Sequence, residues 1–319
     1  MAAGRRPSSP PRGWGIGEGP ANGEPDALAT EHVVQVIAHE PVQRVARDVT
    51  ARGVRMRVVE AGEGRGEPLV LIHGFLTSHL VFDDVIDELA QSFHVIAPDL
   101  PGFGQSEKPS PSRYAYGVET FAEAIADLIA AYGVGQANIL GHDLGGAIGI
   151  TLAAHYAELV TRLVVVGPLC YPQPPNRRLR RALWPLLGGV MFKQLFGRRS
   201  FRNYFKDEVL SRGSTSSFMR IESFYDDFNT PSARESAYAV FRAMLDARPV
   251  VARVSRVRHP TLVTWGRDDR IVPAAHALKL AREIPDARLE LFDAGHSPQE
   301  ERPMELVNVV REFFEGRRG

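Results

Sequence analysis

From about residue 48 to near the C-terminus, short apolar runs alternate with amphipathic stripes, and this rhythm restricts the fold more than any other feature of the chain. Residues 54–59 alternate like a strand, and 69–72, 95–97, 138–140, 163–166, 262–265 and 289–292 suit strands buried on both faces. Between them, Phe121, Ile125, Leu128, Ile129 and Tyr132 recur at helical spacing, and 81–90, 147–156, 277–284 and 304–314 read as further helices. Strands alternating with helices predict an α/β fold: an open, mainly parallel, doubly wound sheet covered on both sides. The rhythm breaks once, over 168–257, where helical, aromatic and Arg-rich sequence predicts a helical cap inserted above the sheet. The expected division is a disordered tail (1–28), a lead-in (29–47), a core (48–167 and 258–319) and the cap (168–257).

The tail is expected to be disordered because it is dense in Gly, Pro and Ser with almost nothing apolar to bury. Arg5-Arg6 is not followed by an apolar stretch of roughly 7–15 residues, so neither a secretory signal nor a membrane anchor is expected, and the default location is cytoplasmic. Lys plus Arg, 38, equals Asp plus Glu, 38, so no global charge recruits nucleic acid. A single cysteine, Cys170, excludes an internal disulfide and a Cys-rich zinc site. No metal or organic cofactor is implied. The partner expected is a small lipophilic substrate; the sequence leaves the oligomeric state open.

Candidate chemistry sits where strands end. Gly141-His142-Asp143-Leu144-Gly145-Gly146 follows one strand and opens a helix, with the G-x-nucleophile-x-G form of a nucleophile elbow and Asp at its centre. Trp265-Gly266-Arg267-Asp268-Asp269 follows a later strand and Gly295-His296 the last, giving the order nucleophile, acid, histidine. His73-Gly74-Phe75 ends an earlier strand, where a backbone N–H could form half of an oxyanion hole.

With Pro98 to Ser106 these motifs, in this order, resemble the α/β-hydrolase superfamily over residues 48–316. An Asp at the elbow resembles its Asp-nucleophile branch, the epoxide hydrolases and haloalkane or haloacid dehalogenases. The resemblance implies a triad of Asp143, His296 and Asp269, with Asp269 chosen over Asp268 as the third residue after Gly266, and an oxyanion hole from the N–H groups of Phe75 and Leu144. His142 reads as buried packing and Asp99 as a loop anchor.

A carboxylate is already anionic at neutral pH, whereas a serine hydroxyl needs a base before it can attack. Attack by Asp143 on a saturated carbon gives an alkyl ester, which water activated by His296 then hydrolyses. An epoxide is the substrate expected first, because its leaving oxygen needs a proton and the cap offers Tyr171, Tyr204, Tyr225 and Tyr238 as donors or substrate contacts. The match to epoxide hydrolases is partial. Phe241-Arg242 stands where they carry a Tyr-Arg pair, and Leu76 where they carry proline. A dehalogenase lacks its halide donors here, since Leu144 and Phe75-Leu76 occupy those places. A serine-type ester or carbon–carbon hydrolase scaffold with Asp in place of Ser stays open, as does a non-catalytic binding protein. In the cap, Arg177 to Arg181 and Arg198-Arg199 bracket Leu183, Trp184, Leu186, Leu187, Val190, Met191 and Phe192. Contact with a membrane surface is one reading; a solvated basic face over a hydrophobic cap is the simpler one.

Overall fold

The computed structural model describes residues 42–175, 178–214, 216 and 218–316. The tail expected over 1–28 lies outside them. Eight strands form one sheet: β1 (Arg44–Ala51), β2 (Val54–Ala61), β3 (Pro68–Ile72), β4 (His94–Pro98), β5 (Ala137–His142), β6 (Val160–Val166), β7 (Thr261–Gly266) and β8 (Ala287–Phe292). Their order is β1-β2-β4-β3-β5-β6-β7-β8, with β2 antiparallel to both its neighbours and every later pairing parallel. The doubly wound α/β architecture read from the apolar rhythm is therefore present. Leu69, Leu71, Ile72, Leu262 and Val263 are fully buried because helices cover both faces of the central strands.

The core helices are α1 (Asp83–Leu89), α2 (Val118–Ala131) and α3 (Leu144–His155). Between β6 and β7 come α4 (Gly188–Leu195), α5 (Arg198–Tyr204), α6 (Phe218–Phe228), α7 (Pro231–Met244) and α8 (Arg248–Val254). The chain ends with α9 (Ala275–Glu283), α10 (Pro298–Glu301) and α11 (Pro303–Phe314). Helices α2, α3 and α8 pack side by side in one layer, and α1, α10 and α11 in another. Along α3 the residues from Leu144 to Ala153 are all buried, which explains why it shows no amphipathic stripe.

Two boundaries differ from the expectation. Strand β1 begins at Arg44, inside the segment read as a lead-in, and most of its side chains are exposed. Arg44 pairs with Asp83 and Asp87, and Arg47 with Glu60, so this edge strand is dressed in charge and carries no apolar alternation. At the other end of the expected cap, α8 packs on α3, and Arg253 reaches Glu119 at 2.8 Å. It belongs to the helical layer over the sheet.

The cap has a core of its own, built from stacked rings such as Phe201 on Phe228 (centroids 5.4 Å apart) and Phe192 on Phe241 (5.8 Å). It is tied to the sheet domain by Arg220 of α6. That buried guanidinium donates to both carboxylate oxygens of Asp84 at 2.8 Å and to Glu300 at 3.1 Å. Truncation would strand the buried Glu300 carboxylate, so Arg220→Ala is expected to cost about 3–5 kcal/mol in urea unfolding. Pairing it with Glu300→Gln should recover part of that loss. A cost under ~1 kcal/mol for Arg220→Ala would show that water replaces the contact.

Candidate active site

At the end of β5 the chain turns through Asp143 and enters α3 within one residue. Asp143 has φ 54° and ψ −113°, a backbone conformation that non-glycine residues rarely adopt. The turn is tight enough that a Cβ on Gly145 would stand 2.0 Å from the Ile72 carbonyl oxygen, and one on Gly141 2.2 Å from the Gly145 oxygen. Glycine at these two places is what lets the elbow project its central side chain from the carboxyl edge of the sheet.

The two oxygens of the Asp143 carboxylate have different surroundings. Oδ2 accepts the Phe75 N–H at 2.7 Å. Oδ1 is buried, has no hydrogen-bond partner, and faces His296 Nε2 at 3.5 Å. Phe75 is held by the loop after β3. There His73 Nε2 accepts the Leu100 N–H at 2.9 Å, which leaves Nδ1–H to donate to Gly74 O at 2.8 Å. Burial pushes the His73 pKa down to about 4, so it is neutral and serves as a brace. Leu76 has φ 60°, which a proline ring cannot adopt, so the absence of proline there is built into the backbone. Leu144 N–H is the first of α3 and lies among the N–H groups that have no carbonyl partner within the helix.

His296 follows β8. Its Nδ1 lies 2.7 Å from Asp269 Oδ2, and the other Asp269 oxygen accepts the N–H groups of Ile271 and Val272, each at 2.8 Å. Asp268 is exposed, so the structure places Asp269, and not its neighbour, beside the imidazole. The His296 N–H donates to Val209 O at 2.7 Å, and Glu301 accepts from Gly295 N–H at 2.9 Å. Burial opposes a charge on His296, but Asp269 and Asp143 outweigh it and push the pKa up to about 10. For Asp143, burial pushes the carboxyl up, yet His296 beside it and the Phe75 N–H hold it below the usual range. At neutral pH an imidazolium thus lies between two carboxylates. His142 sits 4.8 Å from the His296 ring with Nε2–H donating to His296 O at 2.9 Å. Burial pushes it down to about 3, so it packs the histidine loop as a neutral ring. Asp99 is also buried and accepts the N–H groups of His79 and Gln105, both at 2.8 Å, as an anchor for its loop.

Above Asp143 lies a narrow, mainly apolar cavity walled by Phe75, Leu169, Phe241, Met244 and Ile271. Of the four cap tyrosines, only Tyr204 lines it. The Tyr204 phenol is pushed up by burial and by the nearby carboxylates of Asp143 and Asp269, which keeps it protonated. Tyr171, Tyr225 and Tyr238 are corrected as cavity residues. Tyr171 donates to Glu283 of α9 at 2.6 Å, Tyr225 to Asn229 at 3.1 Å, and Tyr238 to Ala182 O at 3.4 Å. Each of those hydroxyls is occupied on a cap or core surface that periodicity alone could not distinguish from the cavity side. Phe241 presents a phenyl ring where the resemblance to epoxide hydrolases implies a tyrosine, and Arg242 is exposed. Sequence reasoning missed Gln173, which also lines the cavity and whose Oε1 is buried without a partner. A lone Gln in the loop after β6 carries no motif, so nothing in the sequence marked it.

Sheet order, elbow, and an acid and a histidine on the loops after β7 and β8 define a site of the α/β-hydrolase type. Residues 67–303 match the family described as alpha/beta hydrolase fold, and the chain belongs to this family of hydrolases. It is 32% identical over 281 residues to a 2-hydroxymuconate semialdehyde hydrolase of Pseudomonas sp. (strain CF600), covering 85% of this chain and 94% of that enzyme. It is 27% identical over 270 residues to a cis-3-alkyl-4-alkyloxetan-2-one decarboxylase of Shewanella oneidensis, covering 79% and 83% of the two chains. Among solved structures, a serine hydrolase involved in carbazole degradation superposes with a TM-score of 0.72 at 28% identity, covering 86% of this chain and 100% of that one.

Proposed function

We propose that the protein is a hydrolase with a carboxylate nucleophile, acting first on epoxides through an alkyl-enzyme ester. The observation that carries this reading is the asymmetry of Asp143: one oxygen is fixed by the Phe75 N–H, while the other is desolvated, accepts no hydrogen bond and only faces His296 at 3.5 Å. Attack of Oδ1 on an epoxide carbon forms the ester and breaks the ring C–O bond, and the leaving oxygen takes the Tyr204 proton. His296, cationic until then, returns a proton to the tyrosinate and becomes neutral. Esterification removes one of its two flanking carboxylates, so its pKa falls at the step that needs a base. His296 then deprotonates water for attack on the ester carbon, and the resulting oxyanion accepts from Phe75 N–H and Leu144 N–H. Collapse releases the diol, with the second hydroxyl protonated from the Asp143 carboxyl, and restores the ion pair.

Tyr204→Phe tests the proton donor. Turnover of epoxides is expected to fall by about 10²–10³-fold in steady-state assays, while formation of the enzyme ester from an alkyl halide, which needs no proton, stays within a few-fold. Equal losses on both substrates would assign Tyr204 to shaping the cavity.

The relatives' names favour a second reading, an acyl or carbon–carbon bond hydrolase with Asp at the elbow. On an acyl carbon the same carboxylate would give a mixed anhydride. The oxetan-2-one in one relative's name is a strained C–O ring, which brings the two readings close. Turnover of a substrate panel holding epoxides, haloalkanes, esters and a β-lactone separates them: epoxides are expected to lead, and a panel in which only the acyl substrates turn over would favour the second.

A further inference from the structure

From the turn Leu179–Leu183 into the first turn of α4 the cap turns apolar side chains into water. Leu186 is 100% exposed, Leu187 57%, Trp184 54% and Val190 50%, although Phe192 of the same segment is buried. A solvated basic face over a hydrophobic cap would have these residues turned inward. Leu186 also has φ 63°, a left-handed conformation unusual for a leucine, so the backbone is strained at the most exposed large apolar side chain among the described residues. Clustered exposure of this kind marks an interaction surface.

Three unpaired arginines stand around the loop. Arg180 and Arg181 precede it, and Arg242 of α7 lines the same groove as Trp184 and Leu186. All three are exposed and have no ion-pair partner among the described residues, whereas the cap arginines Arg198, Arg202 and Arg220 are each paired with carboxylates. The groove adjoins the candidate active site, because Leu245 lines both it and the cavity above Asp143.

We propose that this loop docks on an anionic phospholipid bilayer. Trp184, Leu186, Leu187 and Val190 enter the interfacial layer, the three arginines meet headgroup phosphates, and the groove passes lipophilic substrate from the lipid past Leu245 to the site. A Trp and several leucines at the tip with unpaired arginines at the rim suit a negatively charged interface better than a protein surface, which would offer carboxylates in fixed register. No helix among the described residues is long and apolar enough to cross a membrane, so the association proposed is peripheral.

The test is co-sedimentation of the full chain with vesicles of phosphatidylcholine alone and of phosphatidylcholine with phosphatidylglycerol. Binding to the anionic vesicles is expected to exceed binding to the neutral ones by at least about tenfold, and to weaken as salt is raised. Leu186→Asp with Leu187→Asp, and separately Arg180→Glu with Arg181→Glu, should each reduce it by about tenfold or more without moving the thermal midpoint, since all four side chains are exposed. Absence of binding, equal binding to both vesicles, or binding kept by both double variants would overturn the proposal. Self-association without lipid that is abolished by the Leu186 and Leu187 changes would overturn it too, and assign the loop to contact between copies of the chain.

Discussion

A His296→Gln variant incubated with an epoxide is expected to gain the mass of the substrate and to keep it. Forming the ester needs only the ionised Asp143 and a proton for the leaving oxygen; neither requires a base. Hydrolysis does require one, so this step should slow by about 10³-fold or more and the alkyl-enzyme should accumulate. Intact-mass analysis reads the adduct, and digestion should locate it on the peptide that contains Asp143. The wild type should show a weaker form of the same behaviour as pH is lowered. His296 is held near 10 while both carboxylates are charged, but its pKa drops once Asp143 is esterified. Acidification through the resulting range re-protonates the base and raises the steady-state fraction of ester, while Asp143, held below the usual carboxylate range, remains able to attack. A variant that neither turns over nor becomes alkylated would place His296 in the first step.

Asp143→Asn is expected to abolish turnover, by about 10⁴-fold or more, without unfolding the elbow. The amide oxygen can still accept the Phe75 N–H, and asparagine tolerates positive φ better than most residues, so the thermal midpoint should stay close to wild type. What disappears is the negative charge. The titration of His296, followed by NMR of its ring, should therefore move down from about 10, since only Asp269 would remain beside it. Lost activity with an unmoved histidine titration would mean that the Asp143 carboxylate does not hold the imidazolium as the geometry requires.

The parallel strands were legible because burial on both faces leaves them as unbroken apolar runs, and Asp143, Asp269 and His296 because each follows such a run at a turn marked by glycine. The sequence was silent where chemistry depends on direction. Tyr171, Tyr204, Tyr225 and Tyr238 were equivalent as letters in the cap segment, and only the folded chain sends Tyr204, at the end of α5, to the cavity. Strand β1 escaped notice because an edge strand paired by charge has no apolar alternation to read. Gln173 gained significance only through what surrounds it. The apolar cap loop shows the converse: its composition was visible, but its exposure was not.

The central claim, that Asp143 is alkylated and its ester is cleaved at the carboxyl carbon, is tested most directly by one turnover in water labelled with heavy oxygen, with enzyme in excess over an epoxide. Water that attacks the ester carbonyl leaves its oxygen on the enzyme, and the diol departs with an oxygen that belonged to Asp143. Mass spectrometry is therefore expected to find the label in the Asp143 peptide and none in the first diol released. Label in that first diol, with an unlabelled Asp143 peptide, would show that water attacks the substrate itself and would contradict the account.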